Sequence, residues 1–409
     1  MREMKDSGVK WIGEIPVTWN VYRNKNAFVC SKDLVGGKSS ETQLLSLTTK
    51  GIKLKDINNA EGKLPESFDT YQYVKKDEMV MCLFDLDCSA VFSGLSPYDG
   101  MISPAYKVLT CTDRMEPKYA DYWFQYISHG RKFNHYAKNI RYTLSYEEFS
   151  ALPMLFPDRE EQIRISNYLD AKCSKIDEII EKQHAIIEKL KEYKLSYINE
   201  VTNVNDGIKC HLGFIGQMKN GLNFTDTSEG HKIKFLGVGD FKDNFFVDKE
   251  EMFSTIISEE NVAEDYMLHS GDIVFVRSNG SKELVGRAVM VNGIEYPVTY
   301  SGFCIRFRNI RPDIIDSKFL LYYFRSLDFR KQLEKYSQGS NISNLNQDLL
   351  SSLQFTIPSK VYQKRRLDEM EIKCKEIDNA VIKFEGMNNK LQEYKKSLIY
   401  EVVTGKKEV

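Results

Sequence analysis

Residues 122–146 carry side chains that could contact nucleic acid. The stretch holds four Lys or Arg side chains and two histidines, with aromatic residues between them and no acidic residue. Cations, rings and amides are the groups that contact phosphates and bases. The predicted contact residues here are Arg131, Lys132, His135, Lys138, Asn139, Arg141 and Tyr142. The alternative interpretation is a helix with a solvated basic face.

A second stretch, residues 338–344, is polar rather than basic. Gln and Asn can read adenine edges with two hydrogen bonds, and Arg can read guanine in the same way. The same logic applies to the cations and amide around a predicted hairpin at 277–287. The predicted contact residues of this second set are Gln338, Ser340, Asn341, Asn344, Arg277, Asn279, Lys282 and Arg287. A plain surface loop would explain residues 338–344 equally well.

The sequence lacks the motifs of the usual nucleotide-binding and methyl-transfer sites. Gly37-Lys38-Ser39 resembles the end of a phosphate loop, but position 32 is Lys where that loop needs Gly. Gly237-Val238-Gly239 lacks the third glycine of a dinucleotide fingerprint, and no Asn/Asp-Pro-Pro-aromatic tetrapeptide occurs. The six histidines and eight cysteines show no metal-ligand spacing. We therefore expect no catalytic residue, no metal and no cofactor.

One acidic pattern resembles that of metal-dependent nucleases. Asp313, Asp316 and Lys318 match its letters, and Asp113 and Glu116 occur before Lys118 in a similar context. Hydrolysis of a phosphodiester would require such carboxylates to converge on Mg²⁺. Each group also stands just before an amphipathic segment, so helix capping by Asp316 or Ser317 and a first-turn Pro117 explain the pattern better.

An internal repeat organises the chain. Residues 161–201 and 362–402 align without a gap at an offset of 201, with 16 identities in 41 positions. The match is clearest between KLKEYKLSYINEV at 189–201 and KLQEYKKSLIYEV at 390–402. Weaker similarity extends upstream, for example between 75–84 and 269–278. The chain therefore reads as two copies of one unit.

Each copy ends in a segment with heptad spacing and no proline. Such a helix cannot bury its apolar stripe alone, so the two copies are natural partners, and Lys194, Lys395 and Asn388 could set their register. The predicted packing residues are Leu169, Cys173, Ile176, Ile180, Ile187, Leu190, Met370, Cys374, Ile377, Val381, Phe384 and Leu391.

The segments before the helices read as α+β domains. Strands are predicted at 79–84, 105–110, 273–278, 287–292 and 303–308, and short amphipathic helices at about 117–130 and 317–336. The predicted domains are 1–158 and 203–358, with long helices at 159–202 and 359–409. The predicted fold class is α+β, with two tandem domains, each followed by a long helix.

Charge and composition restrict the classes of function. Lys and Arg number 57 against 58 Asp and Glu, a net charge of −1, which excludes binding of nucleic acid by bulk positive charge. The sequence has no apolar run of transmembrane length and no signal-peptide pattern at its start. With no CxxC pair among the eight cysteines, we expect a cytoplasmic protein with mostly buried free thiols.

The combined pattern resembles the specificity subunits of type I restriction–modification systems. The residues that carry the resemblance are KDSGVKWIGEIPVTW at 5–19, Pro157 with Glu161-Gln162-Ile163, and the order of variable segment, long helix, variable segment, long helix. One departure is Tyr362, which stands where the second copy should repeat Glu161. A capping role at that position is therefore not expected in the second copy.

The resemblance implies a noncatalytic DNA-binding subunit. Each of the two tandem domains would be a target-recognition domain that reads half of a split double-stranded target. The two long helices would pack as an antiparallel coiled coil with pseudo-twofold symmetry and form a spacer. The helices would also dock methyltransferase subunits, two in number, which supply S-adenosylmethionine chemistry. Restriction and translocase subunits would join through the complex. The alternatives are a DNA nuclease or methyltransferase acting by itself, and a coiled-coil scaffold without DNA contact.

Overall fold

A computed structural model describes residues 2–56, 65, 67–86, 92–137, 142–224, 230–258, 261–336 and 344–409. The chain divides into two compact units. Unit 1 comprises Met1–Gln183 with Glu385–Val409, and unit 2 comprises His184–Phe384. Each unit thus takes one half of each long helix, whereas the four-segment division drawn from the sequence remains a prediction.

Unit 1 is a mixed assembly of short strands and helices. Its strands are Met4–Asp6 (β1), Glu14–Pro16 (β2), Asn20–Arg23 (β3), Phe28–Cys30 (β4), Leu45–Thr48 (β5), Gly51–Leu54 (β6), Gln72–Val74 (β7), Met79–Met81 (β8), Ser93–Leu95 (β9), Gly100–Ile102 (β10), Lys107–Cys111 (β11) and Pro153–Phe156 (β12). Its short helices are Pro117–His129 (α1) and Tyr146–Ala151 (α2), and the long helix Arg159–Thr202 (α3) begins here.

The main sheet of unit 1 is antiparallel, in the order β4-β11-β8-β9. Its strand β8 is buried on both faces, which explains its uninterrupted apolar sequence. Met79 and Met81 pack in the cluster that contains Trp123 of α1, whereas Val80 packs with Ile102 on the other face. The sheet therefore separates a helix-covered core from a smaller outer core.

Unit 2 repeats this plan with longer strands. Its strands are Ile208–His211 (β13), Gly216–Asn220 (β14), His231–Leu236 (β15), Phe246–Val247 (β16), Ser254–Ser258 (β17), Ile273–Val276 (β18), Ala288–Val291 (β19), Val298–Tyr300 (β20), Cys304–Asn309 (β21) and Gln354–Ile357 (β22). Its helices are Leu212–Ile215 (α4), Ser317–Phe324 (α5), Leu327–Tyr336 (α6), Gln347–Ser352 (α7) and the start of the long helix Lys360–Val403 (α8).

The main sheet of unit 2 has the order β14-β21-β18-β19-β16, in which only the β16–β19 pair is parallel among the described strands of that sheet. Ile273 and Phe275 of β18 face the core that contains Phe319 of α5, and Val274 and Val276 face an outer core. This alternation matches that of β8. The α+β class and the tandem arrangement expected from the sequence are confirmed.

The predicted helix at 317–336 is two helices in the structure. α5 ends at Phe324, and the Arg325 N–H donates to the carbonyl of Leu321 at 3.1 Å. The hydroxyl of Ser326 then accepts from the Phe329 N–H at 3.3 Å and caps the start of α6. Serine competes with helical hydrogen bonding through such local bonds, and this produces the break.

The heptad positions of the long helices lie at their least exposed faces. Leu169, Cys173, Ile176, Ile187, Met370, Cys374 and Ile377 are buried, and Ile180, Leu190, Val381, Phe384 and Leu391 are half-buried. Side chains between these positions are mostly exposed. Each helix therefore buries one narrow stripe, as the seam of a coiled coil does.

A lysine–aspartate pair fixes the register of the helices in each unit. In unit 1, Lys395 donates to Asp177 at 2.6 and 2.8 Å, and in unit 2, Lys194 donates to Asp378 at 2.7 Å. The two pairs are equivalent under the offset of 201. In unit 2, α8 runs antiparallel to α3, because Tyr362, sixteen residues before Asp378, donates to the carbonyl of Val201.

A buried glutamine anchors the start of each long helix. In unit 1, Gln162 accepts from the Glu116 N–H and donates to two carbonyls, all at 2.8–3.0 Å. In unit 2, Gln363 accepts from the Asp316 N–H and donates to the carbonyls of Ile314 and Pro358, all at 2.8 Å. These equivalent triplets attach each helix to the segment before it.

Glu161 and Tyr362 do not cap their helices. The capping groups are Asp158 and Ser359, which accept from the backbone N–H of Glu161 and Tyr362 at 2.7 and 3.3 Å. The carboxylate of Glu161 instead accepts from the Trp19 indole at 2.8 Å. Among its described residues, unit 2 has no indole equivalent to that of Trp19. A tyrosine at position 362 therefore leaves no indole N–H without an acceptor.

The described part of the chain contains no group of three or more His, Cys, Asp or Glu side chains placed to hold a metal ion. Asp316 caps α5 by accepting from the Lys318 N–H at 2.8 Å, and Asp313 pairs with Arg311. The carboxylates of the nuclease-like pattern therefore have structural partners. No described helix combines the length and apolar character needed to span a bilayer.

The described cysteines are free thiols. Cys173, Cys304 and Cys374 are buried, and Cys30, Cys82, Cys111 and Cys210 are half-buried, while Cys88 lies outside the described residues. Burial raises the pKa of each thiol, to about 11 at Cys374 and about 12 at Cys111. The reactive thiolate is therefore disfavoured at all of them.

We predict that Gln363→Leu destabilises the protein by about 2–4 kcal/mol, because it leaves one buried N–H and two carbonyls without partners. The free energy of unfolding, from guanidinium denaturation, measures the effect. Lys364→Leu, at the exposed neighbouring position, is the control and should change it by less than about 0.5 kcal/mol. Equal destabilisation by the two variants would contradict the anchoring role.

Candidate nucleic-acid interface

In unit 1, the predicted basic residues follow the end of α1. Arg131 has a left-handed backbone with φ of 48°, which turns the chain out of the helix into a short 3₁₀ segment, Lys132–Tyr136. Phe133 of that segment is buried at 1% exposure, and Tyr136 accepts from the Trp11 indole at 2.8 Å. These two rings fix the segment and leave Arg131 and His135 exposed and Lys132 half-buried.

The next predicted residues, Lys138, Asn139 and Arg141, lie outside the described part of the chain. Tyr142 is described, with φ of 45° and 36% exposure. Its carbonyl accepts from the Leu86 N–H at 3.3 Å, and the Leu144 N–H donates to Leu83 at 2.8 Å. Tyr142 and Leu144 therefore lie alongside the segment that leaves β8.

Two aromatic residues beside this loop were not predicted from the sequence. Phe84, 36% exposed, stacks on Tyr106 with ring centroids 6.1 Å apart and planes at 16°. Phe84 follows Leu83, the residue that pairs with the loop. We call Phe84, Tyr106 and Tyr142 the unit 1 loop cluster. The available sequence signal was an aromatic residue directly after an apolar strand.

Unit 2 has the corresponding arrangement. The Leu345 N–H donates to the carbonyl of Arg277 at 2.7 Å, and Ser278 forms a bridge with Asn344. Asn344 and Leu345 therefore lie alongside the segment that leaves β18, as Tyr142 and Leu144 lie alongside the segment that leaves β8. The described ends of the two stretches singled out in the sequence thus occupy equivalent places in the two units.

Arg277, Asn279 and Asn344 come together at this place with Phe303, and we call these four residues the unit 2 loop cluster. The Arg277 N–H donates to the carbonyl of Phe303 at 2.7 Å, and its guanidinium donates to Gly302 at 3.2 Å. Phe303, which sequence reasoning missed, is 58% exposed. Asn279 accepts from the Ser281 N–H through its side-chain oxygen at 2.8 Å.

Four other predicted contacts of unit 2 lie outside the described part of the chain: Gln338, Ser340, Asn341 and the side chain of Lys282. Arg287 is described, but its guanidinium donates to Asp243 at 3.2 Å and to the carbonyl of Lys242. The backbone contacts thus place Asn344 beside the segment that carries Arg277 and Asn279, whereas the Arg287 guanidinium binds Asp243 and the carbonyl of Lys242.

Other cations of unit 2 serve the fold. Arg308 makes two hydrogen bonds to the buried Asp272, at 2.8 and 2.7 Å, and Arg306 is fully buried. The Asp272 side chain raises the pKa of Arg308 through these bonds. Arg325 packs over the Phe245 ring at 4.3 Å, and burial lowers its pKa to about 10. These charges are committed to internal contacts.

Chemically, both loop clusters suit recognition rather than catalysis. They present rings, amides and a guanidinium, which can stack on bases or hydrogen-bond to base edges. Neither cluster contains a carboxylate, cysteine or histidine that could act as a general base or nucleophile. The arrangement is therefore that of a binding surface at the end of a strand in each unit.

Part of the chain is similar in sequence to one family of known proteins. Residues 210–399 match the type I restriction modification DNA specificity domain. The chain is similar to the EcoKI specificity subunit of Escherichia coli K12, at 25% identity over 36% of this chain and 31% of that one. It is also similar to the StySPI specificity subunit of Salmonella potsdam, at 25% identity over 65% of this chain and 63% of that one. The chain thus spans less than two thirds of either relative.

Solved structures show the same fold. A chain from a study of complex assembly and conformational transition of the type I R-M system superposes with a TM-score of 0.72, at 13% identity, over 96% of this chain and 99% of that one. The HsdS subunit of Thermoanaerobacter tengcongensis gives a TM-score of 0.50 at 13% identity, over 96% and 98%. With its repeat and its two long helices, the chain is similar to type I restriction–modification specificity subunits, in sequence over part of its length and in fold over nearly all of it.

Proposed function

We propose that the chain is the DNA sequence-recognition subunit of a type I restriction–modification complex and that it has no catalytic activity alone. Unit 1 reads one half of a bipartite target and unit 2 reads the other half. The observation that carries this proposal is the occurrence of equivalent loop clusters beside equivalent strands, β8 and β18, in two copies of one fold.

The two clusters differ in their chemistry, as readers of two different half-sites should. In unit 1 the described residues are aromatic, and predicted cations flank them in the sequence. In unit 2 they are a guanidinium, two amides and one exposed ring. Arginine and asparagine make the bidentate contacts that distinguish guanine and adenine in the major groove. A repeat that kept its scaffold and changed these loops would keep its geometry and change its sequence preference.

The long helices supply the spacer in this proposal. Each has 44 residues and is therefore about 66 Å long. Two readers joined by a stiff element bind cooperatively only when the half-sites have the matching separation. The repeated lysine–aspartate pairs support this role, because they fix the register of the helices in both units.

The helices also carry surfaces suited to protein partners. In unit 2, Ile186 and Tyr193 of α3 are 40% and 49% exposed, and in unit 1 their repeat equivalents, Met387 and Tyr394 of α8, are 41% and 54% exposed. Residues seven apart lie on one face of a helix. We propose that each pair docks one methyltransferase subunit, which gives two per chain, and that restriction and translocase subunits join through this complex.

The central test is to express the chain with its methyltransferase partner and to map modified bases in cellular DNA by sequencing. The expected result is one bipartite motif with a fixed gap. The purified chain alone should turn over neither DNA with Mg²⁺ nor S-adenosylmethionine. Turnover above background would favour a self-contained nuclease or methyltransferase. DNA binding that does not depend on salt, or no binding at all, would favour a scaffold.

We predict that Arg277→Ala weakens recognition at one position of the unit 2 half-site by about 1–3 kcal/mol, since a bidentate base contact is lost. The unit 1 half-site should be unchanged in the same modified-base map. Arg277→Lys is the sharper variant, because it keeps the charge and loses the planar fork. Full activity of the lysine variant would assign Arg277 to a phosphate instead.

Arg287→Ala provides the matched control. Its guanidinium already binds Asp243, so its removal should change the preferred bases less than the removal of Arg277. A larger change of specificity from Arg287→Ala than from Arg277→Ala would mean that the unit 2 loop cluster is wrongly placed.

Insertion of one heptad into both helices should change the gap of the motif and not its half-sites. The insertions belong between Gln183 and His184 and between Phe384 and Glu385, where the two units divide each helix. Each helix lengthens by about 10 Å, or about three base pairs of B-DNA. An unchanged gap in the modified-base map would refute the spacer role. Insertion into one helix only is the control and should abolish function by breaking the register.

Replacement of one exposed apolar pair should remove one docked methyltransferase. Ile186→Ser with Tyr193→Ser is expected to reduce the partner count from two to one by native mass spectrometry, and Met387→Ser with Tyr394→Ser should do the same. All four changes together should abolish the complex. The control, Lys189→Ser with Glu192→Ser, alters exposed polar positions of α3 and should retain both partners. Retention of both partners by the fourfold variant would exclude these surfaces.

A further inference from the structure

One layer of the helix seam in unit 1 is polar. Gln183 and Asn388 occupy heptad positions and are only 7% and 4% exposed. The Gln183 Oε1 and both terminal atoms of the Asn388 amide have no hydrogen-bond partner among the described residues. Buried amide groups without partners destabilise a fold, so their presence in an otherwise apolar seam calls for a physical reason.

The register places these two amides in the same layer. Lys395 binds Asp177, which puts the heptad position Ile176 beside Lys395. Two heptad steps along α3 from Ile176 lead to Gln183, and two steps back along α8 from Lys395 lead to Asn388. Polar therefore faces polar in unit 1.

The repeat equivalents of this layer are apolar. The offset of 201 relates Gln183 to Phe384 and Asn388 to Ile187, and both equivalents are in unit 2. Counting from the Lys194–Asp378 pair in the same way places Ile187 beside Phe384. Ile187 is buried and Phe384 is half-buried. Apolar therefore faces apolar in unit 2, and the two central layers are matched but different.

This difference matters because the two helices are otherwise alike. They share the heptad pattern, the lysine–aspartate pair and 16 identical residues. The correct partner of α3 is α8, and α3 of a second chain closely resembles α8. If two chains paired through their α3 helices, Gln183 of each chain would face Ile187 of the other chain. If they paired through their α8 helices, Asn388 of each chain would face Phe384 of the other chain. Either arrangement buries an amide against an apolar side chain twice.

We propose that the Gln183–Asn388 layer is an assembly-specificity device that makes α3 pair with α8 and prevents like helices of two copies from pairing. A buried polar residue at a single heptad position is known to select partner and register at some cost in stability. Here the selected partner is the other repeat of the same fold. The consequence is that two different recognition units stay together, rather than two identical ones.

The test is Gln183→Phe with Asn388→Ile, which makes the polar layer a copy of its apolar equivalent. Two differently tagged full-length chains are unfolded, mixed and refolded together, and mixed dimers are measured by co-purification and light scattering. The ratio of mixed dimer to monomer should rise about tenfold or more, because two polar–apolar mismatches no longer oppose like pairing. The midpoint of thermal unfolding should rise as well.

The control is the exchange Gln183→Asn with Asn388→Gln, which keeps polar facing polar and should stay as monomeric as the original chain. Two chains can also exchange their α8 helices, and this α3–α8 pairing keeps residues of like polarity opposite each other in every variant. It therefore contributes the same amount of mixed dimer to each measurement. A raised unfolding midpoint without additional mixed dimer would overturn the proposal and leave the layer a simple defect of the seam. Equal mixed dimer in the original chain would overturn it too. Neither readout involves DNA, so the result is independent of the proposed function.

Discussion

The burial of one narrow apolar stripe on each long helix is the constraint on which the rest of the structure depends. A helix of 44 residues with a single such stripe is not stable alone in water, because most helical stability comes from packing. In unit 1 the stripe continues into the domain core, where Leu169 and Val402 join the cluster that contains Trp123. In unit 2, Val201 and Met370 join the cluster of Phe319 in the same way. The helices are therefore part of the cores that hold the two loop clusters.

The contacts that attach each domain to its long helix are equivalent in the two units, although the loop residues differ between the units. Lys118 binds Asp170 at 2.7 Å in unit 1, and Lys318 binds Glu371 at 2.8 Å in unit 2, as the buried glutamines also repeat. Asp170 and Glu371 differ by one methylene, yet the contact is the same. The surface pairs are worth little individually, but the buried glutamine triplets fix where each strand end stands relative to its helix. Changing loop residues at the strand ends leaves this attachment intact.

Much of the fold could be predicted because repetition and heptad spacing are written directly in the sequence. The offset of 201 predicted which residues are equivalent, and the lysine–aspartate pairs obey it. The apolar runs predicted β8 and β18, since a strand buried on both faces has no polar alternation. The break at Ser326 was not predicted, because its hydroxyl competes with helical bonds only in a particular local geometry. Phe84 and Phe303 were missed because exposure of an aromatic ring depends on how the strands end, which periodicity does not encode.

The internal contacts of the arginines in unit 2 bear on how a chain with a net charge near zero would bind DNA. Unit 2 uses Arg306, Arg308 and Arg325 to satisfy its own carboxylate, carbonyls and an aromatic ring, so these cations cannot also neutralise phosphates. Arg277 is the one cation of the unit 2 loop cluster. Non-specific affinity for DNA scales with the number of phosphates neutralised, so these three arginines add little to it. In the proposed complex, such a chain would contribute more to discrimination between bases than to binding of the DNA backbone, and docked partner subunits would supply the remaining phosphate contacts.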